Sequence, residues 1–338
     1  MWELNNKTPF AVGKSWGRDI NGWHQWLVAV KGTYDISETG TLSLAEEQSP
    51  ALLAPEYFGE PGQSSLKYDA DVVAGKPATD ILVNGTAHAP SGKASVEFAV
   101  ALRINDQQKA LKVLGERHWE QGIMGLKPST PRPILSAPIR YERAFGGYDH
   151  SHPNPKKHTW DPRNPVGCGV VASALDTLSA QQGMPLHQFE YLKGDPKKAG
   201  PAGFGAVDSF WSPRRELTGT YDKAWQEQRH PLLPLDWDSR CLQCAPKDQQ
   251  SEKPLRGGET IELIHLTPQG KLQFQLPRVY LAFTTYIDNR IEEHRAQLSS
   301  VIIEPDQRQL KMVWTTSLLC RNEADYLDQT IIRQKRYQ

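Results

Sequence analysis

Proline limits what this chain can become. It has 25 prolines and 26 glycines in 338 residues. Each proline fixes φ and removes a backbone donor, so frequent prolines cut a chain into short elements. Runs such as Pro131-Arg132-Pro133 and His152-Pro153-Asn154-Pro155 leave little room for long helices. The spacing predicts strands joined by ordered loops.

Strand signals sit at the two ends. Residues 23–36 are rich in aromatic and β-branched types, with Trp26, Val28, Val30, Thr33 and Tyr34. Asn84-Gly85, between Asp80-Ile81-Leu82-Val83 and Thr86-Ala87-His88, predicts a two-residue hairpin. Val96, Phe98, Val100, Leu102 and Ile104 alternate with polar neighbours, then Asn105-Asp106 turns the chain into a second strand around Leu111 and Val113. Residues 260–266 and 271–276 flank a Thr267-Pro268-Gln269-Gly270 turn. Residues 279–287 read as a further strand, and residues 301–303 and 310–319 as a hairpin. After Asn322 the chain reads as a short helix. Asn322 can cap it, Glu323 and Asp325 suit its positive end, Arg333, Lys335 and Arg336 its negative end, and Leu327 and Ile331 share a face.

The middle lacks periodicity but holds Phe145, Trp160, Phe204, Phe210, Trp211, Trp225 and Trp237. Disordered linkers are poor in aromatics. The chain therefore divides into an N-terminal β part (1–121), a loop-rich aromatic middle (122–257) and a C-terminal β part with a terminal helix (258–338). The expected class is mainly β, with antiparallel sheets in a sandwich or barrel-like arrangement under long ordered loops.

Charge excludes some partners. Lys and Arg total 39, as do Asp and Glu, so no net field draws the protein to nucleic acid or an anionic membrane. The N-terminus does not read as a signal peptide, and no stretch nears the roughly 20 apolar residues of a membrane helix. Four cysteines, Cys168, Cys241, Cys244 and Cys320, are too few for a disulfide framework. A reducing cytoplasm is expected.

Catalytic signatures fail one by one. Ser91-Gly92-Lys93-Ala94 has the wrong glycine spacing for a P-loop, and Ala94 replaces the magnesium-binding hydroxyl. Gly203-Phe204-Gly205 lacks the third glycine and the βαβ setting of a dinucleotide site. Cys241-Leu242-Gln243-Cys244 has metal-knuckle spacing but no second ligand pair nearby. Asp149, His150, His152, His158 and Asp161 are suitable metal-ligand types, yet intervening prolines leave their geometry unset, and no metal is assigned. No GxSxG, HExxH or SxxK occurs. Asp236 and Asp238 flank Trp237 as a sugar-cleaving pair could, but sequence does not give their separation. The expectation is a protein without catalytic residues or cofactors. Its ten tryptophans anchor the loop layer or, alternatively, form a carbohydrate-binding or carbohydrate-active surface.

An ordered set of segments carries one resemblance. It includes Trp26-Leu27-Val28-Ala29-Val30-Lys31-Gly32-Thr33-Tyr34, Ser65-Leu66-Lys67-Tyr68-Asp69-Ala70-Asp71, Lys76-Pro77-Ala78-Thr79-Asp80 and Arg117-His118-Trp119. Tyr141-Glu142-Arg143-Ala144-Phe145-Gly146-Gly147, Pro201-Ala202-Gly203-Phe204-Gly205, Trp211-Ser212-Pro213-Arg214, Gly219-Thr220-Tyr221-Asp222 and Pro231-Leu232-Leu233-Pro234 follow. From about residue 5 to about residue 285 the chain resembles the bacterial family called domain of unknown function 2169. The resemblance implies a single family domain and an adaptor or chaperone of type VI secretion. Its implied partner is a toxic effector with a PAAR-like or Rhs part, loaded onto the VgrG spike. It implies no catalytic residues. Cys241 and Cys244 depart from the apolar or aromatic residues expected there, and no family motif is read beyond about residue 290. Interfaces favour Trp, Tyr, Phe and Arg, so Tyr141, Arg143, Phe145, Trp211, Arg214 and Tyr221 are the candidate partner-binding residues. An internal role, with Arg143 and Arg214 bonding loop carbonyls, stays open beside it. The terminal helix could dock on the partner or cap the fold.

Protein purified without a His tag is expected to carry far less than one equivalent of any transition metal. A full, tightly held equivalent by elemental analysis removes the reading of the His/Asp cluster as non-metal.

Overall fold

The computed structural model describes residues 3–171, 178–321 and 323–335. Three open sheets hold the main core, and no sheet closes into a barrel among the described strands.

The first sheet runs in the order Ala11–Arg18, His24–Ile36, Gln309–Arg321, Gln297–Glu304, Asp80–Val83, with Leu42–Leu44 beside His24–Ile36. Its pairs are antiparallel except the last, where Asp80–Val83 lies parallel to Gln297–Glu304. His24–Ile36 is buried almost throughout because both faces are covered. Trp26, Val28 and Val30 face the main core, while Leu27 and Ala29 meet Val72 and Val313 on the other face. Full burial of each large side chain here stabilises by roughly 1.5–3 kcal/mol.

The second sheet is ordered Phe189–Tyr191, Gln107–Leu114, Glu97–Ile104, Thr260–Ile264, Lys271–Gln275. Both expected hairpins form. Phe98, Val100, Leu102 and Ile104 are buried as the alternation predicts, whereas Val96 precedes the strand and is exposed. The third sheet is ordered Glu3–Asn6, Leu327–Lys335, Tyr280–Ile287, Arg290–Arg295.

Two local expectations are corrected. The C-terminal segment is not a helix. A single 3₁₀ turn, Ala324–Tyr326, leads into the strand Leu327–Lys335. That strand lies between Tyr280–Ile287 and the parallel Glu3–Asn6. The β-branched Thr330-Ile331-Ile332 and the burial of Leu327, Thr330 and Ile332 against the sheet favour strand over helix. Asn322 and Arg336 lie outside the described residues. The Asn84-Gly85 hairpin is also absent. Asp80–Val83 is buried at every position and pairs with Gln297–Glu304, whereas Thr86–His88 pairs with Ser136–Pro138. Gly85 does not take the positive φ that a type I′ turn requires.

A buried polar chain joins the first and third sheets. Trp26 Nε1 donates to Thr330 Oγ1, Thr330 and Thr285 share a hydroxyl bond, Thr285 Oγ1 meets His294 Nε2, and His294 Nδ1 meets Thr316 Oγ1, each at 2.8 Å. Burial disfavours the imidazolium and pulls His294 down to about 4.

A histidine that ionises less readily folded than unfolded stabilises the fold in its neutral form. That contribution is whole above about pH 6.5, shrinks as pH falls, and is gone below about pH 4. Wild type is therefore expected to lose ~2–3 kcal/mol more than His294→Gln over this window, measured by urea titrations at its two ends. Equal losses in the two proteins would remove the assignment.

Candidate interaction surface

Buried cations tie loops and strands together across the fold, two of them reaching the middle of the chain. Lys31 points away from the main core and meets Asp71 at 2.8 Å, and Asp71 also accepts the N–H of Leu52. Lys76 meets Asp80 at 2.7 Å and Ser300 Oγ at 3.1 Å. Asp80 accepts the N–H groups of Cys244 and Ala245 as well. Lys109 reaches Asp248 and the Gln249 side chain, each at 2.8 Å. Lys311 pairs with Glu304, and the Tyr68 hydroxyl bonds both. Arg214 binds the Asp69 carboxylate and the carbonyls of Cys241 and Val207. A buried charge without a partner costs several kcal/mol, so four of these pairs fix a loop to a strand or to another loop, and Lys311–Glu304 joins two neighbouring strands. Burial holds Lys109 down at about 8, against the pull of Asp248.

Four of the six candidate residues lie inside. Tyr141 and Trp211 are buried edge-to-face, 5.5 Å apart. The Tyr141 hydroxyl donates to the Gly205 carbonyl, and Gly203 lies against the ring, where a Cβ would come within 2.9 Å. Phe145 is buried edge-on to His187. Gly147 follows in a left-handed conformation, with Gly167 O only 2.2 Å from where a Cβ would sit. Arg214 is buried too, making the internal bonds described above. Tyr221 is exposed and packs edge-on against Trp225, itself held by a bond from Nε1 to Leu232 O. Arg143 is half-buried, and its guanidinium donates to the Gln188 side chain.

Arg143 lines a cleft of about 480 Å³ together with Glu116, Arg117, Arg132, Glu142 and Cys168. Arg117–Gly122 forms a three-stranded sheet with Gly125–Pro128 and Pro185–Leu186, which supplies one wall. The 3₁₀ turn Tyr141–Arg143 supplies another. Arg117 is anchored by Glu190 at 3.0 Å and by the His187 carbonyl at 2.9 Å. Burial opposes ionisation of Glu190, but bonds from His187, Lys112 and Arg117 outweigh it and hold the carboxyl at about 2. Glu142 accepts the Ser65 N–H and hydroxyl, each at 2.7 Å. Burial, opposed by Arg143 and Arg117, pushes the Cys168 thiol up to about 11. It is a thiol at neutral pH and a poor nucleophile. The hairpin beyond Arg117 carries Ile123 and Met124 at its tip, both fully exposed. Phe210 and Leu235 are also exposed on the middle segment.

The remaining chemical candidates serve the loops. Asp149 accepts Gln181 Nε2, and Asp161 takes a fork from Arg163. His152 Nδ1 accepts the Asn154 N–H, His158 Nε2 bonds the His152 carbonyl, and His150 stacks on Tyr148. Among the described residues, no three His, Cys, Asp or Glu converge as metal ligands. Cys241 and Cys244 are buried free thiols. Asp236 binds Thr220, and Asp238 binds Arg240. The cleft is not legible in sequence because Arg117, Arg132 and Arg143 come from separate segments; Arg117-His118-Trp119 and Tyr141-Glu142-Arg143 are its local signals.

The profile of a family described as "Uncharacterized protein conserved in bacteria (DUF2169)" matches residues 21–315. No curated protein and no solved structure matches. The span starts later than the segments suggested and runs on into the hairpin of Gln297–Glu304 and Gln309–Arg321, ending within its second strand. It contains both members of all five ion pairs made by the buried cations.

Asp80→Asn keeps the shape of its site but leaves the Lys76 charge unpaired. It is expected to cost roughly 3–5 kcal/mol in urea unfolding, and Lys76→Met added to it should restore part of the loss. A single variant within ~1 kcal/mol of wild type would sink the anchoring role of this pair.

Proposed function

Because the chain belongs to the DUF2169 family over most of its length, we propose that it is a binding protein without catalytic chemistry, an adaptor that holds a type VI effector and promotes its loading onto the VgrG spike. The observation carrying this reading is a loop-rich segment fixed by buried ion pairs that turns large apolar side chains outward. Ile123, Met124, Phe210 and Leu235 have no internal role to explain them. Rigid loops on a sheet scaffold suit recognition, and large apolar side chains held at turns in water are available to a protein partner. Zero formal charge fits a protein partner better than nucleic acid. No helix among the described residues is long and apolar enough to cross a membrane. The adaptor acts in the cytoplasm of the producing cell, and its partner is an effector with a PAAR-like or Rhs part.

The carbohydrate reading has less support. The exposed Trp23 and Trp160 line separate depressions and offer no shared floor on which a sugar could stack.

Co-expression tests the adaptor reading. The effector encoded beside this gene is expected to lose most of its soluble yield and its secretion when this protein is absent. Equal solubility, stability and secretion without it would end the proposal.

A further inference from the structure

The cleft beside Arg143 contains hydrogen-bond donors that the fold leaves without acceptors. Arg117 Nε is shut off from solvent and has no partner. Arg143 spends one N–H on the neutral Gln188 side chain. Arg132 is exposed, and no side-chain bond or ion pair involves it among the described residues. The buried Arg214 and Lys76 each end on a carboxylate, as Arg117 does through its terminal nitrogen; among the described residues Arg132 and Arg143 make no ion pair.

From this we infer that the cleft is a binding site for a carboxylate side chain carried on an extended peptide segment of the partner. Two features set the ligand class. The first is charge. Arg117, Arg132 and Arg143 face Glu116 and Glu142, three cations against two anions, leaving one positive charge. Adding the Glu190 that holds Arg117, and the Lys112 that also holds Glu190, gives four cations against three anions, again one positive charge. One charge matches a carboxylate and is too little for a phosphate dianion, which needs about two. A guanidinium also offers the planar fork that a carboxylate accepts. The second is size. About 480 Å³ lies within the range of ligand clefts, ~300–1,000 Å³. The space holds a side chain with its flanking backbone, and Leu186 and Pro185 supply apolar wall for it. The identity of the partner rests on the adaptor reading; the preference for a carboxylate does not.

Cys168 makes the site measurable in the native protein. It lines the cleft and is half-buried, while Cys241, Cys244 and Cys320 are buried. The rate of its alkylation by N-ethylmaleimide, followed by mass spectrometry of the Cys168 peptide, reports occupancy. The probes are acetyl-Ala-Glu-Ala-amide and its glutamine twin. The glutamate peptide is expected to slow alkylation severalfold at saturation and the glutamine peptide not at all. Arg132→Gln with Arg143→Gln should abolish the protection, scored as the ratio of liganded to unliganded rate within the variant, because loss of Arg143 itself slows basal alkylation of Cys168. If the two peptides act alike, or if the double variant is still protected, the carboxylate site is overturned. Full-length effector is the second probe. Protection of Cys168 by bound effector supports its use of the cleft. Effector that binds without protecting Cys168 overturns that use and leaves the adaptor reading standing. Protection by the glutamate peptide with no effector binding overturns the adaptor reading and leaves the carboxylate site standing.

Discussion

A charge removed from water must meet an opposite charge or a dense set of hydrogen bonds, and this fold is organised around that requirement. Lys31, Lys76, Lys109, Lys311 and Arg214 are all buried, and each ends on a carboxylate. Four pairs tie a sheet residue to a loop or a neighbouring strand, and the fifth ties two loops. Alone, such pairs are weak evidence of net stability, because desolvation offsets much of the attraction. Their stronger effect is on uniqueness. A loop that slipped along the sheet would strand a charge in a low-dielectric interior, so alternative placements are heavily penalised. Residues 50–80 and 200–250 hold little regular structure, and this penalty replaces the register that a ladder of backbone bonds would otherwise impose.

The same requirement explains which parts of the molecule were legible in sequence. Hairpins with local turns, such as Glu97–Ile104 with Gln107–Leu114, are written in alternation and turn residues. Pairings between distant segments are not. Leu327 and Ile331 sit four residues apart, as a helix face demands, yet that segment is a strand because Tyr280–Ile287 and Glu3–Asn6 present open edges to it. Asn84-Gly85 has turn chemistry, but Asp80 is committed to Lys76 and to two loop N–H groups, and Asp80–Val83 is committed to the Gln297–Glu304 edge. Tertiary commitments outweighed local propensity in both places.

The candidate surface was harder to read for a chemical reason. Tyr, Trp, Phe and Arg are favoured at interfaces, and the same properties suit them to the interior of a loop layer. Each has a large apolar body and a polar group able to satisfy a carbonyl. Tyr141, Trp211 and Arg214 act in this second way, closing over Gly203, Val207 and Cys241. The segment Lys67-Tyr68-Asp69-Ala70-Asp71 likewise supplies ligands for buried cations rather than a surface. The family segments in this chain therefore read chiefly as anchoring.

Arginine serves two purposes in this protein, and the difference lies in what the backbone brings near it. Around Arg214 the loops converge, and a carboxylate and two carbonyls satisfy the guanidinium completely enough for burial. Around Arg143 the walls diverge. Glu142, the nearest acid in sequence, is turned away to Ser65, and Glu190 is held by Arg117, Lys112 and His187. Glu190 is thus shared among three partners and Glu142 gives its oxygens to Ser65, so neither carboxylate pairs with Arg143. A fold that satisfies its cations so consistently inside, and withholds acceptors at one rigid opening, has an electrostatic asymmetry there that a ligand of opposite charge can relieve.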